Sequence, residues 1–317
     1  MKSVFRSVLF TLLLVCANAT NAASIYSTLY FLGDSLMDTG SLVSPGSFLN
    51  PSYTSPPYAP GRFSNGPTWV ETFAGDLGFP VIWGVNNFAV GGAVSADLTS
   101  TSTIGQLIHG GSQTDAVLAA SPGGVDPNAL YVIGMGGNDF LNAPGGISPA
   151  ALADSILDNI EAGIQTLQAF GAQHFLLMNS PDISVSSSFS NAERPGVRAT
   201  AQLFNAEMNN RFGADHLIFD SLGFIDSLMP TLLDAGGNVG ISPGTEGARV
   251  CLSDPGCNPA GDTSAYLLFD SVHPTREVHE ALGHAVAAAV VIPLPAPFIL
   301  LLSSLCIVLT RTRSAAT

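Results

Sequence analysis

The sequence predicts a three-layer α/β/α sandwich around a mainly parallel sheet of about five strands. Short apolar runs of strand length alternate with longer amphipathic stretches, and this alternation is typical of a parallel sheet with right-handed crossovers. The chain of 317 residues, of which 46% are hydrophobic, is long enough to bury the core of a single large domain. We therefore expect one folded domain, over residues 24–292.

Five apolar runs are the predicted strands: "STLYFLG", a shorter run near "VNNFAV", "ALYVIGMG", "HFLLMN" and "HLIFD". The clearest helix is predicted from Pro149 to Phe170, because Ser148 can cap it and a proline in the first turn loses no needed hydrogen bond. Its predicted apolar face consists of Ile156, Ile160, Ile164 and Leu167.

The charge balance limits the possible partners. The chain has 24 acidic and 10 basic residues, a formal net charge of -14. This charge repels phosphate backbones and anionic membrane surfaces, so we expect no nucleic-acid binding. Two stretches rich in glycine and proline, residues 41–66 and 236–264, are predicted to be long loops. Long loops in a compact domain are often functional.

Residues 1–23 are typical of a cleavable export signal. Lys2 and Arg6 precede the apolar run "VLFTLLLVCANA", and small residues follow it. Cys16 leaves lipid attachment open as an alternative, although Val15 is bulkier than the small residue that usually precedes a lipidated cysteine.

Residues 293–317 have the pattern of a sorting signal. Pro-Leu-Pro-Ala is followed by the apolar run Phe298 to Leu309 and by Arg311 and Arg313. That run has 12 residues, whereas a membrane-spanning helix needs about 20. The segment resembles the PEP-CTERM tags of Gram-negative bacteria. The resemblance implies export to the envelope or medium, transient membrane retention and processing by an exosortase-type enzyme; a simple C-terminal anchor is the alternative.

Removal of both end segments would leave Cys251 and Cys257 as the only cysteines. In an exported protein this pair is expected to form a disulfide. Such a short loop would contribute only about 2 kcal/mol. Zinc is the competing use, but a structural zinc site requires four ligands and no second cysteine pair remains once both end segments are removed.

Four separated segments carry residues suited to nucleophilic catalysis. Ser35 lies in "GDSLMDTG", Gly92 in "NFAVGGA", Asn138 in "GGND", and Asp270 and His273 in "DSVHP". The first three follow predicted strands, and ligands of a parallel sheet bind beyond the carboxyl ends of its strands. Taken one at a time, these residues also have ordinary interpretations: a helix cap for Ser35, an Asx turn for Asn138, and chance for an aspartate three residues before a histidine.

Together and in this order, the four segments resemble the GDSL or SGNH hydrolase family. The resemblance extends from Ser35 to His273, and "GRFSNGPTWVE" is similar to the plant-type and haemolysin-like branch. It implies a flavodoxin-like sheet and an esterase or lipase of lipid, polysaccharide or small-molecule esters, without a metal or organic cofactor. It also implies that Ser35 is the nucleophile, His273 the base, Asp270 the orienting acid, and that Ser35, Gly92 and Asn138 form the oxyanion hole.

Two alternatives remain open at this point. The same site can transfer the acyl group to another alcohol, or the domain can be an idle binding protein of the envelope. The other titratable residues receive no catalytic role. Asp34 and Asp38 are expected to favour the start of a helix after Ser35, and His279 and His284 are expected at the surface.

Overall fold

The computed structural model describes residues 25–41, 55–100 and 111–290. Residues 25–288 form one compact unit, and the other unit, residues 1–24 and 289–317, lies outside the described residues except for the end of the last helix. The predicted export signal and sorting segment therefore fall outside the described residues. Within the described ranges, no helix has both the length and the apolar character that a membrane crossing requires.

The described sheet has four parallel strands in the order β1-β2-β3-β4. They are β1 (Leu29–Gly33), β2 (Leu130–Gly134), β3 (His174–Met178) and β4 (Leu217–Phe219). Each coincides with a predicted apolar run, so the mainly parallel α/β prediction is confirmed. The register of the sheet places Leu29 of β1 opposite Leu130 of β2, and Leu130 opposite His174 of β3.

The fifth predicted strand, near "VNNFAV", is an isolated parallel bridge between Phe31 and Asn87. This segment runs beside β1, because Phe31 N–H donates to Asn86 (2.9 Å) and Phe88 N–H donates to Phe31 (2.8 Å). The Asn86 amide also bonds Leu29 and Pro80 carbonyls, which replaces regular pairing with a tight loop. If the segment is counted second, the order becomes 2-1-3-4-5, the flavodoxin-like arrangement.

Helices cover both faces of the sheet. They are α1 (Trp69–Asp76), α2 (Gln113–Ala120), α3 (Gly137–Leu141), α4 (Pro149–Ala169), α5 (Arg194–Phe212), α6 (Ser221–Leu228) and α7 (Arg276–Val290). The predicted helix is α4: Ser148 Oγ accepts the Ala151 N–H at 3.2 Å, and Pro149 takes the first turn.

The core on one face joins the strands to α2, α4 and α5. It includes Tyr131 and Ile133 of β2 together with Ile156 and Ile160 of α4 and Phe204 of α5, all of them buried. Because side chains of a strand alternate between faces, the residues next to Tyr131 and Ile133 in β2 point to the opposite layer.

On that opposite face α1 packs against β1, where the Phe31 and Phe73 rings are 6.2 Å apart. Helix α7 packs against α1 at Gly283, where an added Cβ would lie 2.5 Å from Thr72 Cβ. The two faces together give the three predicted layers.

The second predicted loop and the described part of the first, residues 55–66, are mostly irregular backbone, whereas residues 42–54 lie outside the described residues. In the second one, Cys251 and Cys257 are joined in a disulfide with an S–S distance of 1.93 Å. Asp254 lies between the two cysteines in the sequence, and its Oδ2 forms an ion pair with Arg249 Nε at 2.7 Å. Asp254 also accepts the Tyr266 hydroxyl at 2.6 Å. These contacts fasten the loop beside the segment that leads to Asp270.

Candidate active site

Ser35 lies in the turn that follows β1. The Met37 and Asp38 N–H groups donate to the Asp34 carbonyl at 3.1 and 3.0 Å, and residues 34–40 form turns and bends. The expected helix start after Ser35 was therefore wrong. The reason lies in the Asp38 carboxylate, which accepts the Gly40 and Ser41 N–H groups and closes the chain into a loop.

The strand end that carries this turn is held from both sides. The Gln113 amide group accepts the Gly33 N–H and donates to the Gly33 carbonyl, both at 2.8 Å. Gly33 also has no room for a side chain, because an added Cβ would lie 2.4 Å from Met37 Sδ. The glycine thus lets the chain fold tightly enough to expose Ser35.

Ser35, His273 and Asp270 form a hydrogen-bonded row. His273 Nε2 lies 2.9 Å from Ser35 Oγ, and His273 Nδ1 lies 2.8 Å from Asp270 Oδ2. The carboxylate can only accept, so Nδ1 carries the hydrogen and Nε2 is left to accept the serine proton. In chemical terms, this row can activate a hydroxyl as a nucleophile.

The Asp270–His273 turn is built by its own carboxylate. Asp270 Oδ1 accepts the backbone N–H groups of Val272 (3.0 Å) and His273 (2.8 Å). Burial disfavours the ionised carboxylate, but the hydrogen bond and charge of His273 and these backbone donors outweigh it. The pKa of Asp270 is therefore below its usual value, and the side chain is an anion at neutral pH.

Two aromatic residues of the first predicted loop contact this row, and neither was predicted to have a role. The Tyr58 hydroxyl donates to Asp270 Oδ2 at 2.8 Å, and the Phe63 ring centroid lies 5.1 Å from that of His273. Neither residue belongs to a periodic pattern. The only sequence signal was the length of the loop, together with the "GRFSNGPTWVE" stretch that contains Phe63.

Gly92 and Asn138, the other two predicted site residues, lie beside Ser35 and His273. Ser35, Gly92, Asn138 and His273 all line one cavity of about 260 Å³. Gly92 has a φ of +83°, a conformation that favours glycine. One N–H of the Asn138 amide donates to the Ala93 carbonyl at 2.9 Å. A primary amide has two such hydrogens, so the second is available to the cavity.

Two carboxylates, the buried Asp38 and the partly buried Asp139, fix these glycine and asparagine segments. Asp38 Oδ2 accepts the Gly91 N–H at 2.8 Å, which ties the "VGGA" loop to the Ser35 turn. Asp139 accepts both the backbone N–H (2.8 Å) and the hydroxyl (2.7 Å) of Ser95. Asp38 therefore holds the two loops together, a different role from the expected interaction with a helix start.

Asp34 is also buried, with 5% of its surface exposed, but from the part of the chain that the structure describes its carboxylate accepts only the Leu36 N–H, at 3.0 Å. Burial raises the pKa of Asp34 to about 6, against the opposing effects of the Leu36 hydrogen bond and His273. The nearby carboxylates of Asp139 and Asp38 raise it further. Asp34 therefore titrates close to neutral pH.

His279 is 1% exposed, so its expected position at the surface was wrong. It lies on the face of α7 that packs against α1, and its Nδ1 accepts the Trp69 N–H at 3.3 Å. Burial lowers the pKa of His279 to about 3, and the charge on His273 adds to this. His284 is exposed as expected and pairs with Asp76 at 2.6 Å.

Among the described residues, no group of three histidine, cysteine, aspartate or glutamate side chains could hold a metal ion. The cysteine pair is engaged in the disulfide.

The comparisons with known proteins agree with this geometry. The GDSL-like Lipase/Acylhydrolase family matches residues 29–286. A hydrogen-bonded row of serine, histidine and aspartate at the carboxyl edge of a parallel sheet is typical of serine hydrolases with an α/β fold. The chain belongs to the GDSL-like lipase and acylhydrolase family.

Several individual proteins are similar to this chain. Esterase EstA of Pseudomonas aeruginosa is 30% identical over 80% of this chain and 45% of its own length. A phosphatidylcholine-sterol acyltransferase of Aeromonas hydrophila is 31% identical over 55% of this chain and 50% of its own length. The chain thus spans about half the length of these relatives. Axe2, an acetylxylan esterase from Geobacillus stearothermophilus, has a TM-score of 0.49 and 16% identity over 86% of this chain and 98% of its own.

Proposed function

We propose that the protein is an exported serine hydrolase that cleaves carboxylic esters through an acyl-serine intermediate. The observation that carries the proposal is the row Ser35–His273–Asp270, with a 2.9 Å contact between Ser35 Oγ and His273 Nε2. Membership of a family of lipases and acylhydrolases supports the same reaction class.

In the first half of the reaction, Ser35 Oγ attacks the ester carbonyl carbon while His273 Nε2 takes the hydroxyl proton. Asp270 holds the ring and stabilises its cationic form. The oxyanion of the tetrahedral intermediate accepts hydrogen bonds from the Ser35 and Gly92 N–H groups and the second Asn138 N–H. His273 then returns its proton to the alcohol oxygen, and the alcohol leaves.

In the second half, water attacks the acyl-serine by the same route. His273 Nε2 takes a proton from the water, and the tetrahedral intermediate collapses to release the acid and restore the Ser35 hydroxyl. No step requires a metal or an organic cofactor.

A fluorophosphonate probe tests this proposal, because it labels only an activated serine. We expect labelling of the wild-type protein at Ser35, hydrolysis of p-nitrophenyl acetate, and loss of both in Ser35→Ala. Ser188→Ala, which replaces another hydroxyl in a described loop, serves as the matched control and should retain both. Wild-type turnover by Ser35→Ala, or an unlabelled wild-type protein, would contradict the proposal, and the latter result would favour an idle binding domain.

Acyl transfer to an alcohol is the second candidate, favoured by the similarity to the Aeromonas acyltransferase. Transfer differs from hydrolysis only in the second half, where an alcohol replaces water. Product analysis with glycerol or a sterol present separates the two. An acylated acceptor that exceeds the free acid would establish transfer.

We also propose export with removal of residues 1–23, and processing or retention through residues 293–317. The basic start, apolar stretch and small residues of the first segment support removal, and the Pro-Leu-Pro-Ala tail supports processing by an exosortase-type enzyme. The intact mass of the protein recovered from the producing cells tests both cuts. A mass that includes both segments would contradict this part of the proposal.

A further inference from the structure

A second cavity of about 100 Å³ adjoins the cavity that contains Ser35. The boundary between them is formed by the residues that line both cavities: Asp34, Leu36, Gly137, Pro181, Ile183, Ile225 and Pro274. Beyond this boundary the second cavity extends between the sheet edge and the helices α6 and α7.

The far part of the second cavity is mostly apolar. Met135 and Met178 contribute from the sheet edge, Phe224 from α6, and Val278 and Leu282 from α7. A pocket with this lining suits an aliphatic ligand, because each methylene that enters it leaves water.

Polar groups in the same lining already have partners within the protein. Asn179 Oδ1 accepts the Ser221 N–H at 2.7 Å, and Ser180 exchanges backbone bonds with the Asn205 amide at 2.9 Å. His279 accepts the Trp69 N–H, and its low pKa keeps it neutral. Asp34, at the boundary, accepts the Leu36 N–H. Apart from the Asp34 carboxylate, the second cavity therefore offers few polar groups to a ligand.

The geometry of the reaction separates the two halves of an ester. Ser35, Gly92, Asn138 and His273 line the first cavity and are absent from the lining of the second. The leaving alcohol must stay near His273, which protonates it, so it lies in the first cavity. Leu36 and Ile225 line both cavities, so an acyl chain directed away from His273 has a route from the first cavity into the second.

We infer that the second cavity is an acyl-chain pocket, and that the preferred substrate is an ester of an unbranched fatty acid whose chain passes the Leu36–Ile225 boundary. This inference rests on the proposed esterase function. It excludes acetyl esters as preferred substrates, because an acetyl group has no alkyl chain to place in the second cavity.

The chain-length profile of the wild-type protein is the first test. The value of kcat/KM for p-nitrophenyl esters from acetate to decanoate should rise by roughly fourfold for each methylene that enters the pocket. An enzyme that hydrolyses acetate and shows no gain with octanoate would overturn the inference while leaving the proposed function intact. Absence of any ester hydrolysis would remove both.

A blocking variant tests the location. Leu282→Trp fills the far part of the pocket, and it should lower the octanoate-to-acetate ratio of kcat/KM by about 60-fold if three methylenes are excluded at roughly fourfold each. Ala288→Trp places the same side chain on an exposed position of α7 and should leave the ratio unchanged. An unchanged ratio in Leu282→Trp would refute the location.

A measurement on the wild-type protein covers the case in which Leu282→Trp fails to fold. Reaction with p-nitrophenyl octylphosphonate should give an adduct on Ser35 whose crystal structure has the alkyl chain between α6 and α7. An alkyl chain that lies entirely in the first cavity, or that extends into solvent, would overturn the inference. A methylphosphonate adduct provides the reference for the empty pocket.

Discussion

Replacement of Asp34 by asparagine should stabilise the protein above pH 6. Asp34 is 5% exposed, accepts a hydrogen bond from Leu36 N–H and lies close to two other carboxylates. Asparagine has nearly the same shape and keeps an oxygen that can accept the Leu36 N–H. The substitution therefore removes the charge with little change in packing.

The magnitude follows from the two pKa values of Asp34. The ordinary value is 3.8, and the folded value is about 6. The folded state binds the proton more tightly, so its stability falls as the pH rises from about 4 to about 6 and is constant above that range. The difference corresponds to about 3 kcal/mol at pH 8, which is the largest gain expected for Asp34→Asn.

Urea unfolding at pH 4, 6 and 8 measures this effect as a difference in the free energy of unfolding between the variant and the wild type. The gain should grow from near zero at pH 4 to its maximum at pH 8. Asp215→Asn, on the exposed turn after α5, is the matched control and should show no gain at any pH. A difference for Asp34→Asn that is independent of pH would refute the reasoning, because removal of a buried charge must leave a pH signature.

Three further predictions concern the site. Tyr58→Phe removes a donor to Asp270, so kcat/KM should fall roughly tenfold and its acid limb should move to higher pH, whereas Tyr266→Phe should leave the pH profile unchanged. Asn138→Ala should lower kcat by roughly 10²-fold to 10³-fold with little change in KM; an unaltered kcat would exclude the amide from the oxyanion hole. His279→Gln should remove an acid-induced loss of about 5 kcal/mol between pH 6.5 and 3, measured by urea unfolding, and equal acid sensitivity of variant and wild type would contradict it.

The strands were predictable because each consists of an apolar run that is buried in the parallel sheet. Helix α4 was predictable from its cap and its apolar face, and its observed end at Ala169 differs from the predicted Phe170 by one residue. The segment at Asn87 was less predictable, because its asparagine side chains bond the backbone and limit pairing with β1 to one bridge. Local apolar pattern carries no information on such side-chain competition.

The candidate site was predictable only as a set of separated residues. The structure brings Ser35, Gly92, Asn138 and His273 to one cavity, and Asp270 to His273; their catalytic roles stay predictions. Tyr58 was missed because its contact with Asp270 spans 212 residues of the chain and follows no motif. Contacts of this kind depend on how the loops fold over the sheet edge.

Asp34 and His279 line the same cavity, and burial shifts their pKa values in opposite directions: that of Asp34 is raised and that of His279 is lowered. Between about pH 4 and 6, the raised pKa of Asp34 makes the stability fall as the pH rises, because the folded state binds that proton more tightly. The lowered pKa of His279 makes the stability rise over the same range, so the two slopes nearly cancel. A flat stability profile in the wild type would therefore conceal two large effects. The single variants should reveal them with opposite signs: Asp34→Asn loses stability on acidification and His279→Gln gains it. Because the residues share a cavity, the double variant should deviate from the sum of the single effects.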